Sequence, residues 1–444
     1  MSIKMPQSVH FIGIGGIGIS ALARFLYAQG IEVSGSDIAE GAMTKELKKI
    51  GIKVTIPHSI QSFKDPELVI HSAIIKEDNI EIQEAKKRGI KILSRKEALS
   101  LILREKQVYA VAGAHGKSTT TAILSAILQD CSALIGAESK EFHSNTRALK
   151  SEKVVFEADE SDKSFLNCNP YCAIVTNAEP EHMEAYGHNL KMFYQAYEDF
   201  LGLAKRRVIN AEDSFLGGLE LECVRLYPSK EICEIEYSLC NNQPTTRFRL
   251  FHNQQDYGYF EVYGIGEHIA LDASLAILSV LDSVDLETIR KNIKNFVGIK
   301  KRFDVLEIGN CIIIDDYAHH PTEIRTTLQA LKKYQELTKK NKICAIWQPH
   351  KYSRICDNLE DFVECFRGVD ELVILPVYSV GETKREIDFS WLFKSYNPIF
   401  ADRIQRDGNS LILYKNRQPI SKIQEGIAIG FNAGNLTYQL RGGI

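Results

Sequence analysis

The sequence lacks the patterns that mark zinc-binding and disulfide-stabilised proteins. Its 10 cysteines include no Cys-x-x-Cys pair, and Cys168 and Cys172, four positions apart, have no second pair with which to complete a zinc site. Scattered, unpaired cysteines are typical of proteins in a reducing compartment. We therefore expect a cytoplasmic protein without a structural metal.

The sequence also lacks a long apolar run and an excess of one charge. Residues 9–26 are apolar, but glycines and Arg24 interrupt them and no small-residue cleavage site follows, so they predict a strand–turn–helix segment rather than a signal peptide. No other run approaches the roughly 20 apolar residues of a membrane-spanning helix. The 54 basic and 57 acidic side chains nearly balance, which argues against a nucleic-acid or membrane-surface partner.

The 444 residues instead contain a repeated alternation of short apolar strands with helical segments. This alternation is typical of βαβ units and parallel sheets. A chain of this length is also too long for a single core. We predict an α/β protein of three domains, near residues 1–105, 106–297 and 298–444.

The strongest local signal follows an apolar strand at residues 107–112. A glycine-bearing loop leads to Lys117 and Ser118, which open a helix. Backbone N–H groups of such a loop bind phosphates, while the lysine reaches the outer phosphates and the hydroxyl can ligate Mg²⁺. Val111 stands where the standard loop has its first glycine, so the match is imperfect, and an ordinary strand-to-helix turn is the alternative. The loop residues predicted to bind ATP are Gly113, Ala114, His115, Gly116, Lys117, Ser118 and Thr119.

Four acidic residues crowd the end of a further apolar strand, within residues 157–162. Like charges pack unfavourably unless a cation lies among them, and α/β enzymes place their sites at this edge of a sheet. We expect that cation to be Mg²⁺, because a phosphate-binding loop precedes this cluster in the chain. His182, after another strand, is a candidate ligand for a second Mg²⁺, although this ion prefers oxygen. A solvated acidic loop and a structural histidine are the alternatives.

A second nucleotide-binding pattern opens the chain. Gly13, Gly15, Gly16 and Gly18 follow the first strand, and Asp37 ends the second. Alone, this pattern fits a dinucleotide such as NAD, with the acid on a ribose. Any nucleotide diphosphate can bind at such a helix N-terminus, so the two patterns together indicate an ATP-dependent enzyme with a nucleotide-linked substrate.

The last domain contributes two polar segments, at residues 315–323 after a predicted hairpin and at residues 348–354 after a strand. The second segment carries His350, Lys351 and Arg354, three potential cations that can hold a carboxylate. Arg302, at the junction before this domain, is a candidate for a phosphate contact. A solvated basic linker is the alternative for Arg302.

Taken in order, these motifs resemble those of the Mur ligase family, the ATP-dependent ligases of peptidoglycan synthesis. The resemblance extends over all three predicted domains to about residue 382. The segments that carry it are GIGGIGIS (13–20), AGAHGKSTTT (112–121), EADESDKSF (157–165), VTNAEPEHMEAYG (175–187), KKRFD (300–304), DDYAHHPTE (315–323), QPHKYSR (348–354) and VYSVGE (377–382).

The resemblance implies a Rossmann-like uridine-nucleotide domain, a central P-loop ATPase-like domain and a Rossmann-like domain for the incoming amino acid. ATP would phosphorylate the lactyl carboxylate of UDP-N-acetylmuramate, and the amine of L-alanine would attack the acyl phosphate. Phosphorylation supplies the leaving group that a carboxylate lacks, so the reaction needs charge neutralisation more than an acid or base.

By similarity, the resemblance also assigns residues to each function. The catalytic residues would be Lys117, Glu157, His182 and Arg302. The metal ligands would be Ser118, Glu157 and His182. ATP would contact, besides the loop, Asp272, Arg302 and Asp316. The uridine nucleotide would contact Gly15, Gly16, Ile17, Asp37 and Ser72. L-alanine would contact Tyr317, His350, Lys351 and Arg354.

Three of these positions depart from the family pattern. Ala114 stands where threonine is usual. Asp272 replaces an amide expected against the adenine, and an ionised carboxylate can only accept hydrogen bonds. Lys351 replaces an arginine and loses its bidentate fork.

Three other functions remain compatible with parts of the sequence. A recycling ligase would attach a tripeptide to the same sugar nucleotide, although its N-terminal loop usually differs after the second glycine. An NAD-dependent dehydrogenase would leave the phosphate loop and the acidic cluster unexplained. A non-catalytic nucleotide-binding regulator would lose metal ligands such as Glu157, which is present.

Overall fold

The computed structural model describes residues 5–443, which form two compact units. The first unit contains the chain up to Cys233, together with Arg249–Phe260 and Ala270–Val297. The second contains Glu234–Phe248, Glu261–Ile269 and the chain from Gly298 onward. The domain boundaries expected after residues 105 and 297 stay predictions.

The first region of the chain alternates strands and helices. Its elements are β1 (Ser8–Ile12), α1 (Ile17–Ala28), β2 (Glu32–Ser36), α2 (Ala42–Lys49), β3 (Lys53–Thr55), β4 (Leu68–His71), α3 (Ile80–Lys87), β5 (Lys91–Ser94) and α4 (Arg95–Ile102). The five strands form a parallel sheet in the order β3-β2-β1-β4-β5. Because β2 and β4 lie on opposite sides of β1, a crevice forms at the carboxyl ends of β1 and β4, where open sheets bind ligands.

The second region forms a seven-stranded sheet. Its elements are β6 (Gln107–Ala112), α5 (Lys117–Ile127), β7 (Ser132–Ser139), β8 (Ser144–Arg147), β9 (Lys153–Glu157), β10 (Cys172–Val175), α6 (Leu190–Leu203), β11 (Arg206–Asn210), β12 (Val224–Leu226) and α7 (Pro228–Glu231). The order is β12-β11-β10-β6-β9-β7-β8, and only β8 is antiparallel to its neighbour. Strand β6 therefore lies between β9 and β10, and the loop after it lies at the point where the strand order reverses.

A three-stranded sheet and two helices follow. They are β13 (Ile232–Cys240), β14 (Gln243–His252), β15 (Gln255–Tyr263), α8 (Glu267–Leu278) and α9 (Leu286–Asn292).

The last region contains a six-stranded sheet and a three-stranded antiparallel sheet. Its elements are β16 (Asp304–Glu307), β17 (Cys311–Asp316), α10 (Pro321–Thr338), β18 (Ile343–Trp347), α11 (Tyr352–Asp357), α12 (Leu359–Cys365), β19 (Glu371–Ile374), α13 (Phe389–Leu392), β20 (Ile399–Phe400), β21 (Arg403–Asp407), β22 (Ser410–Lys415), β23 (Gln418–Ile423), β24 (Gly426–Phe431) and α14 (Leu436–Leu440). The larger sheet has the order β16-β17-β24-β18-β19-β20, and the smaller has the order β21-β22-β23.

The structure confirms the predicted α/β class. The apolar segment at residues 9–26 forms β1, a turn and α1, and the hairpin predicted near residues 303–316 is formed by antiparallel β16 and β17. A capping box begins α4 at Ser94, whose hydroxyl accepts from the Glu97 N–H while the Glu97 carboxylate accepts from the Ser94 N–H. Strands β3, β7, β8, β12, β13, β20 and β24 and the sheet β21-β22-β23 were not predicted from the sequence. No helix in the described part of the chain combines the length and the apolar character needed to cross a membrane.

The first two sheets pack on a continuous apolar core within the first unit. Buried residues of α1 and α4, such as Phe25 and Leu99, belong to the same cluster as Phe165, after β9. A buried polar contact strengthens this packing, because the Asn145 Nδ2 on β8 donates to the Ile17 carbonyl over 2.8 Å. The turn that precedes α1 is therefore fixed relative to the second sheet.

A buried polar cluster secures the first sheet from within. The Glu81 carboxylate accepts from the Ser36 hydroxyl, from the Ser59 N–H over 2.9 Å and from His10 Nε2 over 3.4 Å. Burial opposes ionisation of Glu81, but these hydrogen bonds outweigh it and hold its pKa below the usual value. The cluster joins β1, β2 and the start of α3.

A buried ion cluster anchors the C-terminal helix of the second unit. The Arg441 guanidinium donates to Asp315 from Nε over 3.1 Å and from Nη2 over 2.9 Å, and it also contacts Asp304. Asp315 is fully buried on β17, where it also accepts from Thr437 over 2.6 Å and from Asn432 over 3.1 Å. The buried Asp315 side chain depends on these donors, because a buried carboxylate without partners is strongly unfavourable.

We predict that Arg441→Ala lowers the free energy of unfolding by about 3–5 kcal/mol, since it leaves a buried carboxylate without its cation. Urea unfolding followed by circular dichroism measures this loss. Arg367→Ala is the matched control, because Arg367 pairs with Glu364 at the surface and should change stability by less than about 1 kcal/mol. An equally small effect of Arg441→Ala would show that the cluster does not anchor the helix.

Candidate active site

The turn after β1 gathers the predicted sugar-nucleotide residues. Gly13 has a φ of +78°, which favours glycine, and a Cβ added there would lie 3.1 Å from Ser72 Cβ. The Gly15 N–H donates to Asp37 Oδ2 over 2.7 Å. The predicted residues that adjoin this crevice are Gly15, Gly16, Ile17, Asp37 and Ser72.

The loop after β6 is held by residues that follow the neighbouring strand β10. A Cβ added to Gly113, which has a φ of +136°, would lie only 2.1 Å from Thr176 Oγ1. The Asn177 side chain accepts from the His115 N–H over 3.0 Å and donates to the His115 carbonyl over 2.9 Å. The His115 ring lies 2.9 Å from a Glu179 carboxylate oxygen. These contacts fix the loop before any phosphate binds.

Lys117 opens α5 and lies among carboxylates. Its ammonium group donates to the carbonyls of Gly113 and Ala114, and to Glu160 Oε1 over 2.8 Å. Burial disfavours the charged lysine, but the surrounding carboxylates, Glu160 above all, outweigh burial and raise the Lys117 pKa. Burial raises the pKa of Glu160 to about 6. At neutral pH both groups are therefore ionised.

Glu157 lies at the carboxyl end of β9. This strand lies between β6, which leads to Ser118 on α5, and β7, which contains Gly136. The Ser118 hydroxyl donates to Glu157 Oε1 over 3.0 Å, and the Gly136 N–H donates to Glu157 Oε2 over 2.6 Å. A Cβ added to Gly136 would lie 2.5 Å from Glu157 Oε1. The structure thus brings together Ser118 and Glu157, two of the three predicted metal ligands.

Asp272 lies against the last glycine of the loop. Gly116 has a φ of +82°, and a Cβ added there would lie 2.5 Å from Asp272 Oδ1. Asp272 is buried, whereas Ala114 and Thr119 are half-buried on the loop and on α5. The predicted contact of Asp272 with the adenine stays a prediction.

A single cavity of about 360 Å³ joins the turn of the first sheet to the phosphate loop of the second. Gly16, Ile17 and Ser72 line it from one side, and Lys117 and Glu157 line it from the other. The glycine turn after β1 and the phosphate loop after β6, which belong to separate sequence motifs, therefore open into the same space.

His182 lies apart from this cavity lining. It is exposed, has a φ of +53° and precedes the short 3-10 helix Met183–Tyr186. Its role as ligand of a second metal ion stays a prediction.

In the second unit, Asp316 ends β17 and organises the loop that follows. It accepts from the Phe303 N–H over 2.7 Å and from the Ala318 N–H over 2.8 Å. Burial raises its pKa to about 6. The Arg302 guanidinium lies 5.1 Å from the centre of the Tyr317 ring.

The four predicted amino-acid-binding residues gather nearby. His350 Nδ1 accepts from Arg354 Nη1 over 2.9 Å. Burial, and then the charges of Arg354, His319 and Lys351, lower the pKa of His350 to about 4, so its ring is neutral. The His319 ring lies 5.1 Å from that of Tyr317 and 5.8 Å from that of His350, and so connects them.

Three residues of the site, Asn177, Thr176 and Glu160, had no role predicted from the sequence. All three lie within motifs given above, and each follows a strand. The missing information was the strand order, since only the adjacency of β10 to β6 shows that Asn177 reaches the phosphate loop.

Comparison with known proteins agrees with this architecture. The "Mur ligase family, catalytic domain" matches residues 8–107, the "Mur ligase middle domain" matches residues 111–280 and the "Mur ligase, glutamate ligase domain" matches residues 301–417.

Similar proteins include the UDP-N-acetylmuramate–L-alanine ligases of Campylobacter curvus and Helicobacter pylori. Each is 54% identical to this chain over 98% of its length, and the matches cover 100% and 96% of those proteins. The structure of UDP-N-acetylmuramate–alanine ligase from Thermotoga maritima is similar with a TM-score of 0.80 and 28% identity, over 98% of this chain and 97% of that one. A murein peptide ligase from Psychrobacter arcticus shares the fold, with a TM-score of 0.64, 21% identity and 99% coverage of both chains.

Matched along all three regions, and 54% identical to curated members over nearly its whole length, the chain belongs to the Mur ligase family.

Proposed function

We propose that this chain joins L-alanine to the lactyl carboxylate of UDP-N-acetylmuramate at the expense of ATP, in peptidoglycan precursor synthesis. The observation that carries the proposal is the shared cavity, in which the sugar-nucleotide turn and the phosphate loop face the same space. A carboxylate on a nucleotide-linked sugar can there meet the outer phosphate of ATP. Because both nucleotides are cytoplasmic metabolites, we place the reaction in the cytoplasm.

The reaction has two steps. A carboxylate oxygen attacks the outer phosphorus of ATP and ADP leaves, which gives an acyl phosphate. The amine of L-alanine then attacks the carbonyl carbon, phosphate leaves, and the nitrogen loses a proton to give the amide. Lys117 and the loop N–H groups stabilise the charge on the transferring phosphate, as electrostatic catalysis of phosphoryl transfer requires.

The oxygens around Glu157 suit Mg²⁺. The Ser118 hydroxyl and a Glu157 oxygen lie 3.0 Å apart at the mouth of the loop, and both are hard oxygen donors of the kind that this ion prefers. When bound there, Mg²⁺ would neutralise charge on the ATP phosphates. We retain the exposed His182 as a candidate ligand for a second ion and Asp272 as a candidate nucleotide contact.

The second unit supplies the amino-acid site in this proposal. Arg354 holds the α-carboxylate of L-alanine, with Lys351 and Tyr317 beside it and His350 fixing the guanidinium. Arg302 and Asp316 remain candidate nucleotide contacts. When the carboxylate of L-alanine is held, its amine is oriented for attack on the acyl phosphate. Holding two reactants in the correct geometry contributes much of the rate acceleration of such a step.

Phosphate release tests the function directly. With ATP, Mg²⁺ and UDP-N-acetylmuramate present, we expect the purified chain to release phosphate on addition of L-alanine, with the amide product identified by mass spectrometry. Release with the cell-wall tripeptide but not with L-alanine would identify a recycling ligase. Reduction of NAD without phosphate release would identify a dehydrogenase, and nucleotide binding without either reaction a regulator.

We predict that Lys117→Ala lowers turnover more than tenfold, because it removes the fixed cation from the transferring phosphate. The fold should persist, since Glu160, whose pKa burial already raises to about 6, can take up a proton. The double variant Lys117→Ala/Glu160→Gln removes the buried pair together and should be folded and equally inactive. Retention of more than a tenth of wild-type turnover in Lys117→Ala would contradict the phosphate-loop assignment.

We predict that Arg354→Ala lowers kcat/KM for L-alanine by two to three orders of magnitude, roughly 3–4 kcal/mol, because a charge-paired orienting contact is lost. Initial-rate kinetics measure this change, and the KM values for ATP and the sugar nucleotide should stay nearly constant. Lys351→Arg should be tolerated, since it restores a fork, and Arg367→Ala serves as the surface control. A rise confined to the KM for the sugar nucleotide would move Arg354 to the other substrate.

A further inference from the structure

Arg95 is a second cation of the shared cavity, and the reaction described above does not use it. It is the first residue of α4 and lines the cavity together with Lys117. Its guanidinium lies over the first turn of α1, because a Cβ added to Gly18 would lie 2.9 Å from Arg95 Nε and 3.1 Å from Arg95 Cζ. The glycine of the N-terminal motif thus makes room for a charged group.

The hydrogen-bonding capacity of Arg95 is largely unused. Its Nε is buried and has no hydrogen-bond partner in the described part of the chain. Its ion pair with Asp162 is long, with 3.6 Å between Arg95 Nη1 and Asp162 Oδ2. Guanidinium groups bind carboxylates and phosphates through two parallel hydrogen bonds, and Asp162 satisfies neither at this distance. An anion that enters the cavity would meet a preformed donor.

The position of Arg95 favours the sugar nucleotide over ATP as the source of that anion. Arg95 lies beside α1, whose start at Gly16 and Ile17 faces the same cavity. Lys117, by contrast, is already engaged by Glu160 and by two loop carbonyls. The positive end of the α1 dipole and the Arg95 guanidinium therefore act on the same space.

We propose that Arg95 binds an anionic group of the sugar nucleotide, either its diphosphate or its lactyl carboxylate, and holds it between α1 and the phosphate loop. This inference rests on the proposed function, which supplies the substrate. It adds a binding residue from α4, an element that the nucleotide-binding motif of the sequence does not include.

Isothermal titration of the full chain with UDP-N-acetylmuramate and with UDP tests the inference. Arg95→Ala should weaken binding of the sugar nucleotide by roughly 10- to 100-fold, as expected for loss of charge-assisted hydrogen bonds, while KM values for ATP and L-alanine change less than about twofold. Arg95→Lys should be intermediate, because it keeps the charge and loses the fork. A parallel loss of UDP affinity would assign Arg95 to the diphosphate, and unchanged UDP affinity would assign it to the carboxylate.

Two control variants separate this role from a structural one. Asp162→Asn removes the ion pair but keeps the Oδ1 that accepts from the Ser164 N–H over 2.8 Å, and it should bind both ligands at least as tightly as the wild type. Arg88→Ala removes an arginine at the end of α3, paired with Glu84 and Asp65, and should also have no effect.

Wild-type affinity for both ligands in Arg95→Ala would overturn the inference. The same loss in Asp162→Asn would also overturn it, since Arg95 would then act by holding Asp162. A different result would contradict the proposed function: a wild-type chain that binds the sugar nucleotide but releases no phosphate when ATP and L-alanine are added.

Discussion

The phosphate site depends on polar side chains that approach the backbone more closely than any residue with a Cβ would allow. Thr176 reaches Gly113 and Glu157 reaches Gly136, at positions where added Cβ atoms would lie 2.1 Å and 2.5 Å from the nearest side-chain oxygens. In each case the pair belongs to adjacent strands: Gly113 and Thr176 follow β6 and β10, whereas Gly136 lies within β7 and Glu157 ends β9. The position of the loop is therefore set by two features together: the adjacency of the strands, and the lack of a Cβ at Gly113 and Gly136.

Negative charge is concentrated at the same edge of the sheet, where a nearby cation offsets the repulsion between carboxylates. Glu157, Asp159 and Glu160 lie around the half-buried Lys117, which remains charged because these carboxylates outweigh the effect of its desolvation. Burial acts to raise the pKa of Asp159, but hydrogen bonds from Ser161 and the charges of Lys117 and Arg95 outweigh it and hold this pKa below its usual value. The cavity therefore presents both signs of charge at fixed positions, which suits a reaction that moves a phosphate between two substrates.

Those parts of the site that lie within one continuous segment could be predicted from local patterns in the sequence. The strand–loop–helix around Lys117 and the glycine turn before Ile17 were both recognisable, because their geometry follows from glycines at fixed spacing. Arg95 was not recognisable, since its contact with Gly18 joins residues 77 positions apart that meet only once β4 and β5 are placed beside β1. The sheet β21-β22-β23 was missed for another reason. Its strands carry many exposed polar residues, so the alternation that marks a half-buried strand is weak there.

The amino-acid site of the second unit shows how a neutral histidine can orient an arginine. Two side-chain cations and a second imidazole surround His350, and with burial they lower its pKa to about 4. At neutral pH the ring thus keeps an unprotonated Nδ1, and this nitrogen accepts from Arg354 Nη1. A protonated His350 would instead repel the guanidinium. The cations that are available to attract a carboxylate also keep His350 in the form that holds Arg354 in place, so attraction and orientation arise from one set of charges.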